Sequence, residues 1–512
     1  MTSDMISLRA RTIAVVGAGP SGLIAAKIVT EINHIRYLRE EKAFDKIVLY
    51  EQRSNSGGVW NYTGDQRDED LLTIPQTNPR GKNQEPTWKP TKASPGGAKN
   101  REKNGVQKEA IFLSPIYDRL ETNIPRGLMG FQDLNWSQDS QLFPKHETVL
   151  KYIEEYGKDV QDLVQYETQV INIEPTDDNH AGKWKVYTRD LLSNFQQEET
   201  YDAVIVANGH FITPYVPDIP GIREWNAKYP DAISHSKYYR NPEEFRNKKV
   251  IVVGNSASGS DISTQIAQYS QHPLLWSSRS ASIFKPAPSP LKRELPPISN
   301  FLLPNRSVEF EDGTVETDVD AIVFATGYFY SLPFLEDVKP KLIHDGSHVQ
   351  GTYKHLFYAP RPTLSFLALP QRVIPFPIAE AQSAVLARVY SGRLSLPPLP
   401  TMCVWEQSVI DEMGDGRNFH LLPFPKDGNY INELSHWALS AEPREGLENN
   451  GKGKTPPIWG GWEFWCREQF SKIRAAFGAL GEKRYEVRTL EEVGFSYEEY
   501  LKRKAQEEGK LI

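Results

Sequence analysis

Residues 12–22 read Thr12-Ile13-Ala14-Val15-Val16-Gly17-Ala18-Gly19-Pro20-Ser21-Gly22, and their reading decides the fold. An apolar, β-branched run ends in glycine, and residues 22–32 then place apolar side chains at helical spacing: strand, tight turn, helix. Each glycine meets one steric demand. Gly17 permits the turn, Gly19 lets a pyrophosphate approach the backbone, and Gly22 allows close packing of helix on strand, while the helix N-terminus offers amide donors to phosphate. Residues 46–50 predict a second buried strand, ending beside Glu51, whose carboxylate suits ribose hydroxyls. Glu51 lies farther from Gly17 than the usual interval of about 20 residues, and a polar excursion over 37–45 accounts for the extra length. The opening is therefore a βαβ dinucleotide-binding unit; the alternative, a purely structural glycine turn, leaves the acid unexplained.

The pattern recurs. Lys249-Val250-Ile251-Val252-Val253 runs into Gly254-Asn255-Ser256-Ala257-Ser258-Gly259, with Ser256 where the second glycine stood. Serine is small, and its hydroxyl can donate to a phosphate oxygen. After a further strand at 274–276, Arg279 stands where an acid would read a free ribose 2′-hydroxyl, which favours NADPH through a charge-assisted contact to the 2′-phosphate; a surface loop arginine is the alternative. Residues 318–328 echo 202–210 on the far side of this second unit, which marks it as an insertion. Between the units, a helix is expected over 146–157 and strands over 169–173 and 183–188, whereas 64–108, rich in Pro, Gly, Lys, Asn and Asp, reads as a polar insertion or mobile loop.

Composition narrows the function. The 512 residues allow two or three domains, and 59 basic against 66 acidic residues give a net charge of −7, which speaks against nucleic acid as a partner. Cys403 and Cys466 form no CxxC pair, so neither a disulfide framework nor a metal site is expected, and a disulfide reductase, which needs two neighbouring thiols, is excluded. Electrons from two nucleotides must then reach another acceptor, and molecular oxygen is the obvious one. The first ten residues lack the apolar core of a signal peptide and no apolar run is long enough to span a bilayer, so a cytoplasmic protein without a transmembrane segment is expected. The aromatic cluster Ile458-Trp459-Gly460-Gly461-Trp462-Glu463-Phe464-Trp465 is read as buried packing, with peripheral contact at the cytosolic face of the endoplasmic reticulum as the alternative.

Beyond the two turns, Glu51-Gln52-Arg53 followed by Gly57-Gly58-Val59-Trp60, the stretch Tyr117-Asp118-Arg119-Leu120-Glu121-Thr122-Asn123-Ile124-Pro125-Arg126, and Pro377-Ile378-Ala379-Glu380-Ala381-Gln382 are similar to segments of the flavin-containing monooxygenase family, its fungal members in particular. The resemblance implies FAD held by Gly17, Ala18, Gly19, Pro20, Ser21, Gly22, Glu51, Gln52, Gly58, Val59, Trp60, Thr122, Asn123, Ile124 and Gln382. It implies NADPH held by Gly254, Ser256, Ser258, Gly259, Ser260, Asp261 and Arg279, with Asn123 as the catalytic residue facing flavin and nicotinamide. The family fingerprint FxGxxxHxxx(Y/F) falls on Tyr229, Asp231, His235 and Tyr239; Asp231 in place of glycine puts the local turn geometry at issue, and His235 is read as structural or hinge-like. Tyr239, where Baeyer–Villiger relatives prefer Trp, points to oxidation of heteroatoms.

The implied fold is α/β, with two Rossmann-like dinucleotide-binding domains and the NADPH domain inserted into the FAD domain. The expected division is 1–211 as the first FAD segment, 212–316 as the NADPH domain, and 317–512 as the second FAD segment with a C-terminal extension. The implied activity is an NADPH-dependent monooxygenase in which oxygen adds at the flavin C4a and the hydroperoxide oxygenates soft sulfur or nitrogen of a small molecule. A Baeyer–Villiger or N-hydroxylating enzyme and an uncoupled NADPH oxidase are the enzymatic alternatives; a redox-inactive nucleotide-binding protein is the other. Assembly is left open between a monomer and a homodimer.

Overall fold

Strands of a parallel sheet are covered on both faces, so they read as continuous apolar runs rather than alternating ones. Thr12–Val16 has this character, and it sits between two parallel neighbours: Val16 lies opposite Tyr50 of Lys46–Tyr50 on one side and opposite Val206 of Ala203–Val206 on the other. The computed structural model describes residues 5–33, 43–64, 72–79, 81–90, 102–103, 106–177, 182–280, 289–445 and 453–508. Most of the excursion expected over 37–45, and residues 65–71, 80, 91–101 and 104–105 of the polar insertion, lie outside these.

The chain forms two units. The first comprises Met1–Ile116, Leu150–Tyr215 and Gly327–Ile458. Its seven-stranded sheet runs in the order Thr352–Tyr353, Phe357–Tyr358, Leu364–Phe366, Ala203–Val206, Thr12–Val16, Lys46–Tyr50, Val164–Gln165, and is parallel except at the Thr352–Tyr353 and Phe357–Tyr358 edge. Helices Pro20–Asn33 and Pro375–Tyr390 pack on each other; all of the latter but its first residue is buried. A separate antiparallel sheet joins Thr168–Pro175, Trp184–Asp190 and Gln196–Tyr201.

The second unit comprises Tyr117–Val149, Val216–Thr326 and Trp459–Ile512. Its five-stranded parallel sheet has the order Ile233–His235, Ala321–Phe324, Val250–Val253, Leu274–Ser277, Lys292–Leu295. The sequence places 117–149 and the last helices with the first nucleotide domain, whereas contacts group them with the second. The cause is long-range: the Tyr117 hydroxyl donates to Asp261 and the Asp118 amide to the Arg240 carbonyl at 3.0 Å, while Glu121, held by Arg474 and Arg484 at 3.0 Å each, ties the last helices to the same segment.

The polar insertion also differs from expectation. Thr87–Pro90, Val106–Ile111 and Glu102–Lys103 form a small antiparallel sheet, with Thr87 opposite Ile111. It is anchored where Ala110 and Phe112 are buried against Leu191, a contact that local composition cannot announce. In the aromatic cluster, Trp459 and Trp465 are buried, and Trp465 packs on Tyr497 with ring centroids 5.3 Å apart. Among the described residues no helix is long and apolar enough to cross a membrane.

Candidate functional site

In the first unit Gly17 adopts φ 101°, and a Cβ there would sit 2.8 Å from the Ala207 carbonyl oxygen. A Cβ on Gly22 would lie 1.9 Å from the Gly17 carbonyl oxygen, so these two glycines build the turn itself. Gly19 differs: the nearest atom to a Cβ there is the Cα of Gly58, at 3.4 Å. Gly58 begins the short 3-10 turn Gly58–Trp60, and the amide of Gly57 donates to the Ala18 carbonyl at 3.0 Å. Two side-chain-free backbones thus face each other beside a helix N-terminus, a cradle that suits a pyrophosphate and that a side chain would fill.

Glu51 is 3% exposed and is committed more deeply than its sequence position suggests. One carboxylate oxygen accepts from the Ala18 amide at 2.8 Å and the other from the Arg53 amide at 2.9 Å. Each oxygen keeps lone-pair capacity, so the acid shapes the glycine turn and can still accept from a ribose hydroxyl. Gln52 accepts from Gln169 at 3.2 Å. The Val59 carbonyl accepts from the Ser114 hydroxyl.

The second unit repeats the construction of the turn at its first and third glycines. Gly254 has φ 111°, its absent Cβ would lie 2.4 Å from the Ala325 carbonyl oxygen, and one on Gly259 would lie 2.1 Å from the Gly254 carbonyl oxygen. The amide of Gly254 donates to Ser277 at 2.9 Å, as that of Gly17 donates to Tyr50 at 2.8 Å. Asp320 accepts from the Lys249 amide at 2.9 Å, as Asp202 accepts from the Thr12 amide at the same distance, so each return strand pins the start of its central strand. The sequence shows the echo of these segments but not the pinning.

Ser256 caps helix Ala257–Ile266 without spending its hydroxyl on a capping bond, and Ser258 is half-buried. Asn255 donates to the Ser280 carbonyl, and the Trp276 indole donates to that of Gly254 at 2.8 Å. Arg279 is exposed and makes no hydrogen bond or ion pair with other described residues.

Three expected cofactor contacts also bond within the protein. The Asp261 carboxylate accepts from the Tyr117 hydroxyl and, at 3.0 Å, from the Gln265 amide; burial raises its pKa. Gln382 is wholly buried, accepting from the Ala368 amide at 2.9 Å and donating to the Tyr430 hydroxyl at 3.0 Å. Both ends of its amide hold the protein around the 368 turn, and each keeps one further position, a lone pair and an N–H. The Thr122 hydroxyl donates to the Ile124 carbonyl at 2.9 Å, and both residues are buried.

Asn123 stands between them, half-buried, with no hydrogen bond among the described residues. Thr122 already satisfies the backbone of this loop, which leaves the Asn123 amide available for another partner.

Asp231 takes φ 67°, the left-handed conformation that asparagine and aspartate tolerate best after glycine. His235 is fully buried and accepts from the Lys237 amide at 3.1 Å, which is a structural cap. Tyr239 donates to Gln265 at 3.0 Å.

Two Rossmann-type cradles, the second inserted between segments of the first, define a two-dinucleotide α/β oxidoreductase. Residues 101–285 and 299–423 match the flavin-binding monooxygenase-like family. The chain is similar to flavin-containing monooxygenase FMO GS-OX-like 2 of Arabidopsis thaliana, with 33% identity over 456 residues, 85% of this chain and 86% of the relative. Among solved structures, S-allyl-L-cysteine S-oxygenase of Allium sativum superposes with a TM-score of 0.71 at 26% identity, over 99% of this chain and 100% of that one. Tmm of Pelagibacter sp. strain HTCC7211 shares the fold, with a TM-score of 0.66 at 21% identity over 91% and 90% of the two chains. The chain therefore belongs to the flavin-binding monooxygenase family. It is an FAD- and NADPH-dependent monooxygenase that uses molecular oxygen on a small molecule.

Proposed function

We propose that this monooxygenase oxygenates soft sulfur or nitrogen centres, with FAD on the 17–22 turn and NADPH on the 254–259 turn. The observation that carries the reading is the side-chain-free gap between Gly19 and Gly58, supported by a second glycine turn in which Gly254 and Gly259 meet the same steric demands as Gly17 and Gly22. Gly17, Ala18, Pro20, Ser21 and Gly22 supply the phosphate turn. Glu51 takes the ribose, and Gln52, Val59 and Trp60 border the nucleotide. In the second turn Ser256, Ser258 and Ser260 present hydroxyls or amides to phosphate, and Arg279, exposed and uncommitted to another described residue, reads the 2′-phosphate. Bound FAD, reduced by NADPH, supplies oxygen activation and transfer of one oxygen atom.

Asn123 is the residue assigned to that chemistry. Its unengaged amide can donate at the flavin and accept from the nicotinamide amide, holding the oxidised nucleotide in place and keeping water out. No nucleophile or general acid is needed on the substrate. Sulfur is favoured by the likeness to the garlic S-oxygenase, and heteroatoms over ketones by Tyr239. A cytoplasmic location completes the proposal.

The test is NADPH and oxygen consumption with product analysis across thioethers, thiols, amines and ketones. Sulfoxide or N-oxide formed in step with NADPH is expected. Esters from ketones would establish Baeyer–Villiger chemistry, hydrogen peroxide equal to NADPH an oxidase, and a colourless protein a binding function; each would overturn the proposal.

A further inference from the structure

We infer that Tyr117, Asp261 and Gln265 form a latch that fastens the Asn123 loop to the helix of the second nucleotide turn, so that seating NADP(H) and presenting the Asn123 amide are one event. The inference rests on the proposed role of Asn123.

Tyr117 is 5% exposed, and its ring meets that of Tyr239 edge-on at 5.2 Å. Its hydroxyl donates to an Asp261 oxygen, which also accepts from the Gln265 amide at 3.0 Å. The same Gln265 amide donates to the Arg119 carbonyl at 3.4 Å, and its oxygen accepts from the Tyr239 hydroxyl at 3.0 Å. Asp261 and Gln265 are one turn apart on Ala257–Ile266, the helix that opens at the second glycine turn, so they share a face. The amide of Asp118 adds a bond to the Arg240 carbonyl at 3.0 Å. Burial holds the Tyr117 phenol protonated far above its ordinary range, which fixes it as the donor.

From Tyr117 onward the chain is held at successive steps. The Leu120 carbonyl accepts from the His146 amide at 3.2 Å, Glu121 is gripped by Arg474 and Arg484, and the Thr122 amide donates to Pro144 at 2.9 Å. Between the Tyr117 fastening and Asn123 the chain therefore has no free joint, so the nucleotide helix and the Asn123 loop are held as one body. The fingerprint tyrosine, Tyr239, acquires a role in this arrangement: it packs under Tyr117 and orients Gln265. Tyr117 is a positioning residue, acting through Asn123.

Tyr117→Phe keeps the ring packing and removes the hydroxyl; Asp261→Ala removes the acceptor from the other side; Asn123→Ala removes the presented amide. Three readouts are compared in the flavin-loaded proteins: hydrogen peroxide released per NADPH, melting temperature, and amide hydrogen exchange over 117–126 with and without NADP⁺. In the wild type NADP⁺ should slow exchange in this segment. In Tyr117→Phe that protection should fall by about tenfold, the scale of one lost buried hydrogen bond, and peroxide per NADPH should rise severalfold with flavin retained. Asp261→Ala should behave alike, and it carries the test if Tyr117→Phe does not fold. Asn123→Ala should release peroxide while keeping the protection. If Asn123→Ala stays coupled, the role of Asn123 fails. If Asn123→Ala releases peroxide but Tyr117→Phe and Asp261→Ala keep both coupling and protection, the latch fails.

Discussion

A side chain at Gly19 would point at the Cα of Gly58, 3.4 Å from its Cβ, whereas one at Gly22 would strike the Gly17 carbonyl oxygen at 1.9 Å. The two positions should therefore separate function from folding. Gly19→Val should fold and purify without flavin colour, since its branched carbons occupy the gap between two backbones, while Gly22→Ala should lose stability by breaking the turn. Full flavin absorbance in Gly19→Val would remove FAD from this turn. Arg279 is tested by selectivity. Losing a charge-assisted phosphate contact of about 1.5 to 3 kcal/mol should weaken NADPH by roughly ten- to a hundredfold and leave NADH nearly unchanged. Equal loss for both nucleotides would assign the 2′-phosphate to another residue. The glycine turns were legible in the sequence because such a turn is a local device, its steric demands written within six residues. Glu51 was legible as an acid at a strand end, but its bond to Ala18 was not, because it depends on how the strand end folds over the turn. The protein partners of Asp261 and Gln382 were not legible for the same reason: they come from elements far off in sequence, and only packing shows them.

At the level of elements, the central strands and the helices that follow them were legible from unbroken apolar runs and helical spacing. The segment 117–149 and the last helices were not. What joins them to the second unit is contact at long range, of Tyr117 with Asp261 more than 100 residues on and of Glu121 with arginines more than 300 residues away, which leaves no periodic trace. The C-terminal part of the chain also supports the first unit. Lys454 pairs with Glu380 at 2.9 Å, with side chains 8% and 1% exposed, and its ammonium group bonds the Tyr156 hydroxyl at 3.0 Å. This pair fastens residue 454 to helix Pro375–Tyr390. Removing one partner strands a buried charge, so Lys454→Met should destabilise the protein by about 3 to 5 kcal/mol, and adding Glu380→Gln should recover much of that loss. Chemical denaturation of the single and double variants measures both. A single variant within about 0.5 kcal/mol of the wild type would show that the pair is solvated and carries little of the fold.

For the molecule as a whole, acid sensitivity is built into a set of histidines kept neutral in the first unit. His420 accepts from the Val349 amide at 3.1 Å through Nε2, so its proton sits on Nδ1 and is donated to His355 Nδ1 at 2.9 Å. Both rings are buried among Trp405, Phe419 and Tyr330. Burial, with Lys354 nearby, pushes His355 down to about 3, and burial with His355 and His348 close by holds His420 well below its usual value. A folded-state pKa below the unfolded value of about 6.5 means that the unfolded chain takes up the proton first. The stabilisation is therefore complete above about pH 6.5 and is lost as pH falls, by about 1.4 kcal/mol per pH unit for each such histidine until its folded pKa is reached. Carboxylates act lower. Asp202 is raised by burial but lowered more by the amides of Arg11 and Thr12, so its contribution fades only below about pH 4. Unfolding free energy should thus be nearly flat from pH 8 to about 6.5 and fall steeply towards pH 5. His355→Gln keeps an acceptor for His420 but cannot be protonated. It should be less stable than the wild type at pH 8, through lost ring packing, and the gap should narrow by about 2 kcal/mol at pH 5. Denaturant midpoints at the two pH values give the comparison, and a gap that is the same at both would mean that His355 takes up its proton in the folded protein as readily as in the unfolded chain.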